Sequence, residues 1–328
     1  MIKHIKLAAL ALTAVAASGL AQADDFKPAI VFDMGGKFDK SFNESAYNGA
    51  EEFKKNSGLN YMEFEVTQVS QREQAVKRMA KKGASIVVAM GFAQAGAVEK
   101  AAKANPDTKF TIVDMVVDLP NVQSIVFKEH EGSFLVGMAA AMTSKTGKVG
   151  FVGGMDIPLI RKFALGYVEG AKYANPNAEV FQNMTGTTPA AWNDPTKGGE
   201  LAKSQFDRGA DVVYAAAGGT GIGVYQAAKD AGKLAIGVDS NQNYLHPGTM
   251  LTSMTKRVDV AVREAFQSAK DGTWKPGIKV LGLKEGGVGY AMDKHNASVL
   301  DKATVAKLEQ ARDDIIAGKI KVTDYMSK

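Results

Sequence analysis

The 328-residue sequence contains no cysteine. That excludes disulfides, thiolate metal sites and cysteine nucleophiles. It also excludes a lipid anchor of the bacterial kind, which needs a cysteine at the cleavage site. Histidine is scarce. The four present, His4, His130, His246 and His295, are far apart and no two have metal-ligand spacing, so neither a metal nor another cofactor is expected. No G-x-S-x-G elbow occurs, and no histidine stands near a candidate nucleophile. Basic runs are missing as well. The formal charge is +5 but no five or six Lys or Arg are consecutive, so no nucleic-acid partner is expected. Beyond the first residues, no hydrophobic stretch is long enough to cross a membrane.

What is present begins with MIKHIKLAALALTAVAASGLAQA, residues 1–23. Lys3 and Lys6 form a positive start, residues 7–17 an apolar stretch, and Ala21-Gln22-Ala23 a small-residue cleavage signal. The alternative is a membrane anchor, but the apolar run is short and nothing resembling a stop-transfer pattern follows. The expectation is a cleaved signal peptide, a mature chain from Asp24, and an unlipidated protein in the periplasm. The remaining length suits two domains.

The rest of the chain is organised around residues 29–49, AIVFDMGGKFDKSFNESAYNG. Residues 29–32 form a short apolar strand that Asp33 ends. Gly35-Gly36 permits a tight turn. Ser41-Phe42-Asn43-Glu44 fits a capping box with Ser41 as N-cap, and Phe42, Ala46, Ala50 and Phe53 follow at helical spacing. Asp33, Ser41, Phe42 and Asn43 should therefore cluster at the carboxyl end of a strand, where open α/β sheets bind ligands. The plainer alternative is a βα turn whose polar residues satisfy only loop amides.

Strand and helix alternate after that. Residues 61–69 alternate apolar and polar, as a half-exposed strand does, and Ser70–Glu73 repeats the capping box before a helix to about residue 82. Strands are expected at 86–90, 109–113 and 122–127. Residues 130–143 form an apolar helix whose Met and Phe belong to a core. Alternation then restarts at 149–152, with Gly153-Gly154 at its end. Asp194-Pro195 is an N-cap with proline at N1. The pattern argues for parallel βαβ units in two domains, the second starting near residue 128.

Asp33, Asp114 and Asp239 each end an apolar strand. Together they read as acceptors lining a cleft, suited to an uncharged ligand rich in hydroxyl or amino donors; separately, each is as well explained as a loop cap. Gly218–Gly223 follows a strand and opens a helix, yet matches neither the dinucleotide nor the P-loop pattern. Close backbone approach to a ligand is the better functional account of it.

The wording of five blocks is more specific. DMGGKFDKSFNESAYNG, GFVGGMDIPLIRKFALGY, AAAGGTGIGVYQAAK, AIGVDSNQN and LTSMTKRVDVAV resemble, in this order, blocks of the basic membrane protein family of ABC-transporter solute-binding proteins, those similar to the purine nucleoside receptor. The resemblance runs over most of the chain. It implies the type I periplasmic binding fold: two Rossmann-like α/β lobes joined by a three-strand hinge. On that basis residues 24–128 plus about 257–280 form the N-terminal lobe, and 129–256 plus about 281–328 the C-terminal lobe. Many members are lipoproteins, and the missing cysteine is a departure from them.

The resemblance also implies roles. Phe42 would stack on a purine base, although by sequence alone packing under its own helix suits it better. Tyr214 is the candidate second ring, with Phe163 and Trp192 behind it. Asp33, Ser41, Asn43 and Asp114 would read polar edges. Gly219, Asp239 and Lys256 would hold the ribose, and Lys256 and Asp239 would brace one another, where a solvated surface lysine is the ordinary alternative. The implied function is a monomeric receptor that binds purine nucleosides such as adenosine, guanosine or inosine without chemistry, for an ABC permease. A receptor of the same fold for a sugar or signalling molecule stays open, and so, more weakly, does an exported nucleoside hydrolase.

Overall fold

A computed structural model describes residues 26–327; the expected signal peptide lies outside the described residues. The first half alternates as β1 (Pro28–Phe32), α1 (Phe42–Ser57), β2 (Met62–Glu65), α2 (Gln71–Lys81), β3 (Ile86–Met90), α3 (Ala95–Ala104), β4 (Lys109–Val113) and β5 (Val122–Phe127). The second runs α4 (Glu129–Thr143), β6 (Lys148–Met155), α5 (Pro158–Ala174), β7 (Glu179–Gly186), α6 (Pro195–Asp207), β8 (Val212–Ala216), α7 (Gly221–Asp230), β9 (Leu234–Asp239) and β10 (Met250–Lys256). Then come α8 (Val258–Lys270), β11 (Gly277–Leu281), β12 (Val288–Tyr290) and α9 (Lys302–Ile316).

The strands form two six-stranded sheets, in the orders β11-β5-β4-β3-β1-β2 and β12-β10-β9-β8-β6-β7. Pairing is parallel throughout except for β12, which runs antiparallel to β10. The central strands read as unbroken apolar runs because helices cover both faces. The half-exposed alternation of residues 61–69 shortens to β2, at the edge of its sheet.

Each sheet and its helices make one lobe of a type I periplasmic binding fold. The chain passes between the lobes three times: after β5, after β10 and after β11. These crossovers lie side by side. The Lys128 amide donates to the Leu281 carbonyl at 3.0 Å and the Arg257 amide to that of Gly287 at 2.8 Å. The helix α8 returns to pack on α1, with Gly49 set against the Asp259 carbonyl so closely that a Cβ there would clash. The helix α4 packs on α5, β10 and α9, and its Phe134 and Met138 are core residues as expected. Both lobes thus turn the carboxyl ends of their strands toward a shared cleft. Among the described residues no helix is long and apolar enough to cross a membrane.

Candidate functional site

The cleft holds a cavity lined from both lobes. Asp33, Asp39, Phe42, Asn43 and Asp114 come from the first, and Phe163, Trp192, Ala217, Asp239 and Lys256 from the second.

The loop from β1 to α1 is built differently from the capping box. The Ser41 hydroxyl makes no cap bond. Asp39 caps α1 instead, accepting from the amides of Ser41 (2.8 Å), Asn43 (3.1 Å) and Glu44 (3.1 Å). The Glu44 carboxylate turns to the Lys40 amide at 3.2 Å. Ser41, freed from capping, donates across the cleft to the carboxylate of Asp239. Burial pushes the Asp39 carboxyl up to about 7, against the pull of the three amides. Ser70 likewise makes no side-chain cap bond, whereas Asp194 caps α6 by accepting from the Lys197 amide at 2.9 Å.

Asn43 donates through Nδ2 to the carbonyls of Asp33 and Gly36, both at 3.2 Å, which ties down the glycine turn. Its Oδ1 is buried and accepts no hydrogen bond among the described residues, and the same holds for Oδ1 of Asp114. Asp33 is held through Oδ1 by Arg72, whose Nε lies at 3.0 Å and whose terminal nitrogen lies at 2.9 Å. Burial raises Asp33 in spite of that guanidinium.

Lys256 is 2 % exposed, not a solvated lysine. Its Nζ lies 2.7 Å from Asp114 Oδ2 and 3.0 Å from Glu129 Oε1. It also stands 5.3 Å from the centre of the Phe42 ring and 5.6 Å from that of Phe163. Asp114 and Glu129 are its direct ion-pair partners; Asp239, which pairs with Ser41, braces Lys256 by charge alone, as each draws the other toward its ionised form. Burial alone would lower Lys256, yet Asp114, Glu129 and Asp239 outweigh it and hold the ammonium charged. Burial raises Asp114 and Asp239, with Lys256 pulling both back.

Three expected residues do not line the cavity: Ser41, which lies behind Asp239 as its hydrogen-bond donor, Tyr214 and Gly219. Tyr214 is fully buried in the middle of β8, packed edge-on to Phe151 (5.5 Å) and tilted against Tyr167 (5.3 Å). Its side chain faces the core helices, so it cannot be the second ring; Phe163 and Trp192 line the cavity in its place. Gly219 stands one residue beyond the lining, where Ala216, Ala217 and Gly218 do the contacting, and packs near the Trp192 carbonyl. Sequence reasoning missed Asp39, Arg72 and Glu129. Asp39 carried a signal, an acid three residues before the first residue of a helix. The other two carried none that was local.

The two lobes meet over this cavity through the Ser41–Asp239 and Lys256–Asp114 contacts. Residues 26–325 match the model of the Bmp family, described as ABC transporter substrate-binding protein PnrA-like. The chain belongs to the Bmp family of ABC transporter substrate-binding proteins. A Bmp relative from Lactococcus lactis, named "ABC transporter nucleoside-binding protein BmpA", is 36% identical over 91% of this chain and 89% of that protein. A crystal structure of an ABC transporter solute-binding protein from Aeropyrum pernix K1 superposes with a TM-score of 0.83 at 28% identity, covering 92% of this chain and 96% of that one. An uncharacterized lipoprotein of Pyrococcus horikoshii is 38% identical over 82% of this chain and 69% of that protein. Membership in this family implies a small-molecule ligand and a transporter permease as partner.

That Pyrococcus protein and its counterparts from two further Pyrococcus species, all named lipoproteins, correct the expected location. An unlipidated protein free in the periplasm does not stand as a description of a chain so similar to them. The missing cysteine removes one acceptor for a lipid and fixes no compartment.

Proposed function

We propose that this Bmp-family protein binds purine nucleosides in the cleft and delivers them to an ABC importer, without catalysis and as a monomer. The observation that carries this reading is that aromatic rings from both lobes, Phe42 on one side and Phe163 and Trp192 on the other, face one cavity with buried, unpartnered acceptors. Flat rings suit a base. Acceptors such as Asp114 Oδ1 and Asn43 Oδ1 suit a ligand rich in donors and disfavour an anion. In this reading Phe42 stacks on the base, Asp33, Asn43 and Asp114 meet its polar edges, and Asp239 and Lys256 hold the ribose hydroxyls. Ser41 acts through Asp239, and the loop at Gly218-Gly219 supplies close backbone. The name of the Lactococcus relative, which speaks of nucleosides, supports the same class.

The moving units we propose are residues 24–128 plus about 257–280 and residues 129–256 plus about 281–328, closing by hinge motion. The test is thermal unfolding of protein stripped of bound ligand by unfolding and refolding. The panel holds purine and pyrimidine nucleosides, free bases, ribose and common sugars. A ligand at about 100 times its Kd adds roughly 2.7 kcal/mol. Stabilisation by purine nucleosides alone is expected; a response to sugars alone, or to none of the panel, rejects the ligand class. Release of free base from inosine on incubation would reject the non-catalytic part. Phe42→Ala is expected to weaken inosine binding at least tenfold in calorimetric titration with the unfolding midpoint retained.

A further inference from the structure

Glu129 is the first residue of α4, immediately past the first crossover, and Lys256 is the last residue of β10, immediately before the second. Glu129 is 1 % exposed and does not line the cavity. Its oxygens are divided. Oε1 lies 3.0 Å from Lys256 Nζ, and Oε2 lies 3.0 Å from Lys162 Nζ on α5. Each lysine also reaches into the other lobe. Lys256 meets Asp114 at the end of β4 at 2.7 Å, and Lys162 donates to the Phe127 carbonyl at the end of β5 at 2.7 Å.

The two kinds of contact differ in what lobe motion does to them. The pairs made by Glu129 lie within the second lobe, because α4, α5 and β10 pack together. The contacts to Asp114 and to the Phe127 carbonyl span the lobes. The other charges facing this cluster are Asp239, across from Lys256, and Asp324, 3.6 Å from Lys162. His130 neighbours Lys162, and its imidazole is shifted below the ordinary range by burial first and by that ammonium second.

We propose that Glu129 is a positioning residue for cleft closure: it neutralises Lys256 and Lys162 together, so that the lobes can shut over both, and keeps the Lys256 ammonium aimed at Asp114. Buried charge is tolerated only when paired, and removing one partner strands the others. Without the Glu129 carboxylate, closing must desolvate two neighbouring lysines with one fewer acid. Opening lets water take them. Glu129 thus sets ligand affinity without touching ligand. The part concerning affinity rests on the nucleoside reading; the part concerning lobe position does not.

The chain has no cysteine, so a labelled pair is unique. Val69→Cys and Ile222→Cys, exposed positions on opposite lobes, carry spin labels for pulsed distance measurement. In the ligand-free protein, Glu129→Gln is expected to move the distance distribution toward longer separations. It is also expected to weaken inosine binding at least tenfold. Adding Lys162→Met, which removes the stranded charge at similar volume, is expected to restore both in large part. A Glu129 with only a structural role would lower the unfolding temperature and leave distances and affinity in place, which would overturn the proposal. If Glu129→Gln alone does not fold, folding of the double variant supports the shared-charge role, and failure of both overturns it. If the parent protein ignores inosine, the nucleoside reading fails, and the ligand-free distances still decide the role of Glu129.

Discussion

Asp114 and Asp239 both carry left-handed backbone, at φ 71° and 65°, and both line the cavity from strand ends. Non-glycine residues there cost of order 1–3 kcal/mol each and persist only where surroundings over-determine them. The surroundings here are the Lys256 ammonium for one and the Ser41 hydroxyl for the other. Gly91 poses the opposite problem. Its φ is 90°, and a Cβ there would lie 2.8 Å from Asp33 Oδ2, in a carboxylate that Arg72 prevents from swinging aside. Gly91→Ala is therefore expected to cost about 1–3 kcal/mol in urea unfolding. An unchanged midpoint would show that the Asp33–Arg72 pair yields.

At the scale of elements, α1 shows how a correct helix start can hide the wrong cap. Ser41-x-x-Glu44 marks where the helix begins, but three amide donors converge on Asp39. Asp39→Ala is expected to destabilise by about 1–2 kcal/mol and to speed amide exchange in the first turn of α1. Ser41→Ala is expected to leave that exchange unchanged, because its hydroxyl is engaged by Asp239 in the other lobe. The reverse result would restore the capping box. Elements as such were legible: the strands at 86–90 and 109–113 follow from apolar runs bounded by Gly and Asp. Which side chain satisfies which amide was not, since neighbouring acids and hydroxyls in one loop compete and only the folded path of residues 33–41 ranks them.

At the scale of the whole molecule, the two lobes are joined at the cleft mouth as well as at the hinge. The Lys40 carbonyl accepts from Ser240 Oγ at 2.8 Å and from Gln242 Nε2 at 2.9 Å. Lys40 itself sits at φ 61°, which aims that carbonyl across the gap. Gln242 is buried and fixed, its Oε1 accepting from the Tyr225 hydroxyl at 2.8 Å and the Val238 amide at 2.7 Å. If ligand drives closure, amides in residues 39–44 and 239–243 should gain exchange protection together on adding inosine. They lie far apart in sequence and meet only when the lobes shut. Protection of one segment without the other would separate ligand contact from closure.

The sequence by itself determined the alternating pattern, the two α/β lobes, and the strand ends where Asp33, Asp114 and Asp239 stand, because these follow from local periodicity and from where apolar runs stop. It also placed Phe42 and Lys256 at the cleft through five blocks of family wording. Only the tertiary structure decided which second-lobe aromatics, Phe163 and Trp192, line the cavity with Phe42. Tyr214 lies mid-strand, and a mid-strand side chain meets the helices that cover the sheet; Trp192 ends a short 3-10 turn between β7 and α6 whose placement over the cleft depends on the fold around it. Tertiary structure also brought Glu129 and Asp114 to Lys256, and Lys162 to Glu129. A buried charge needs partners, and those partners come from whatever elements the chain's three crossings bring to the hinge.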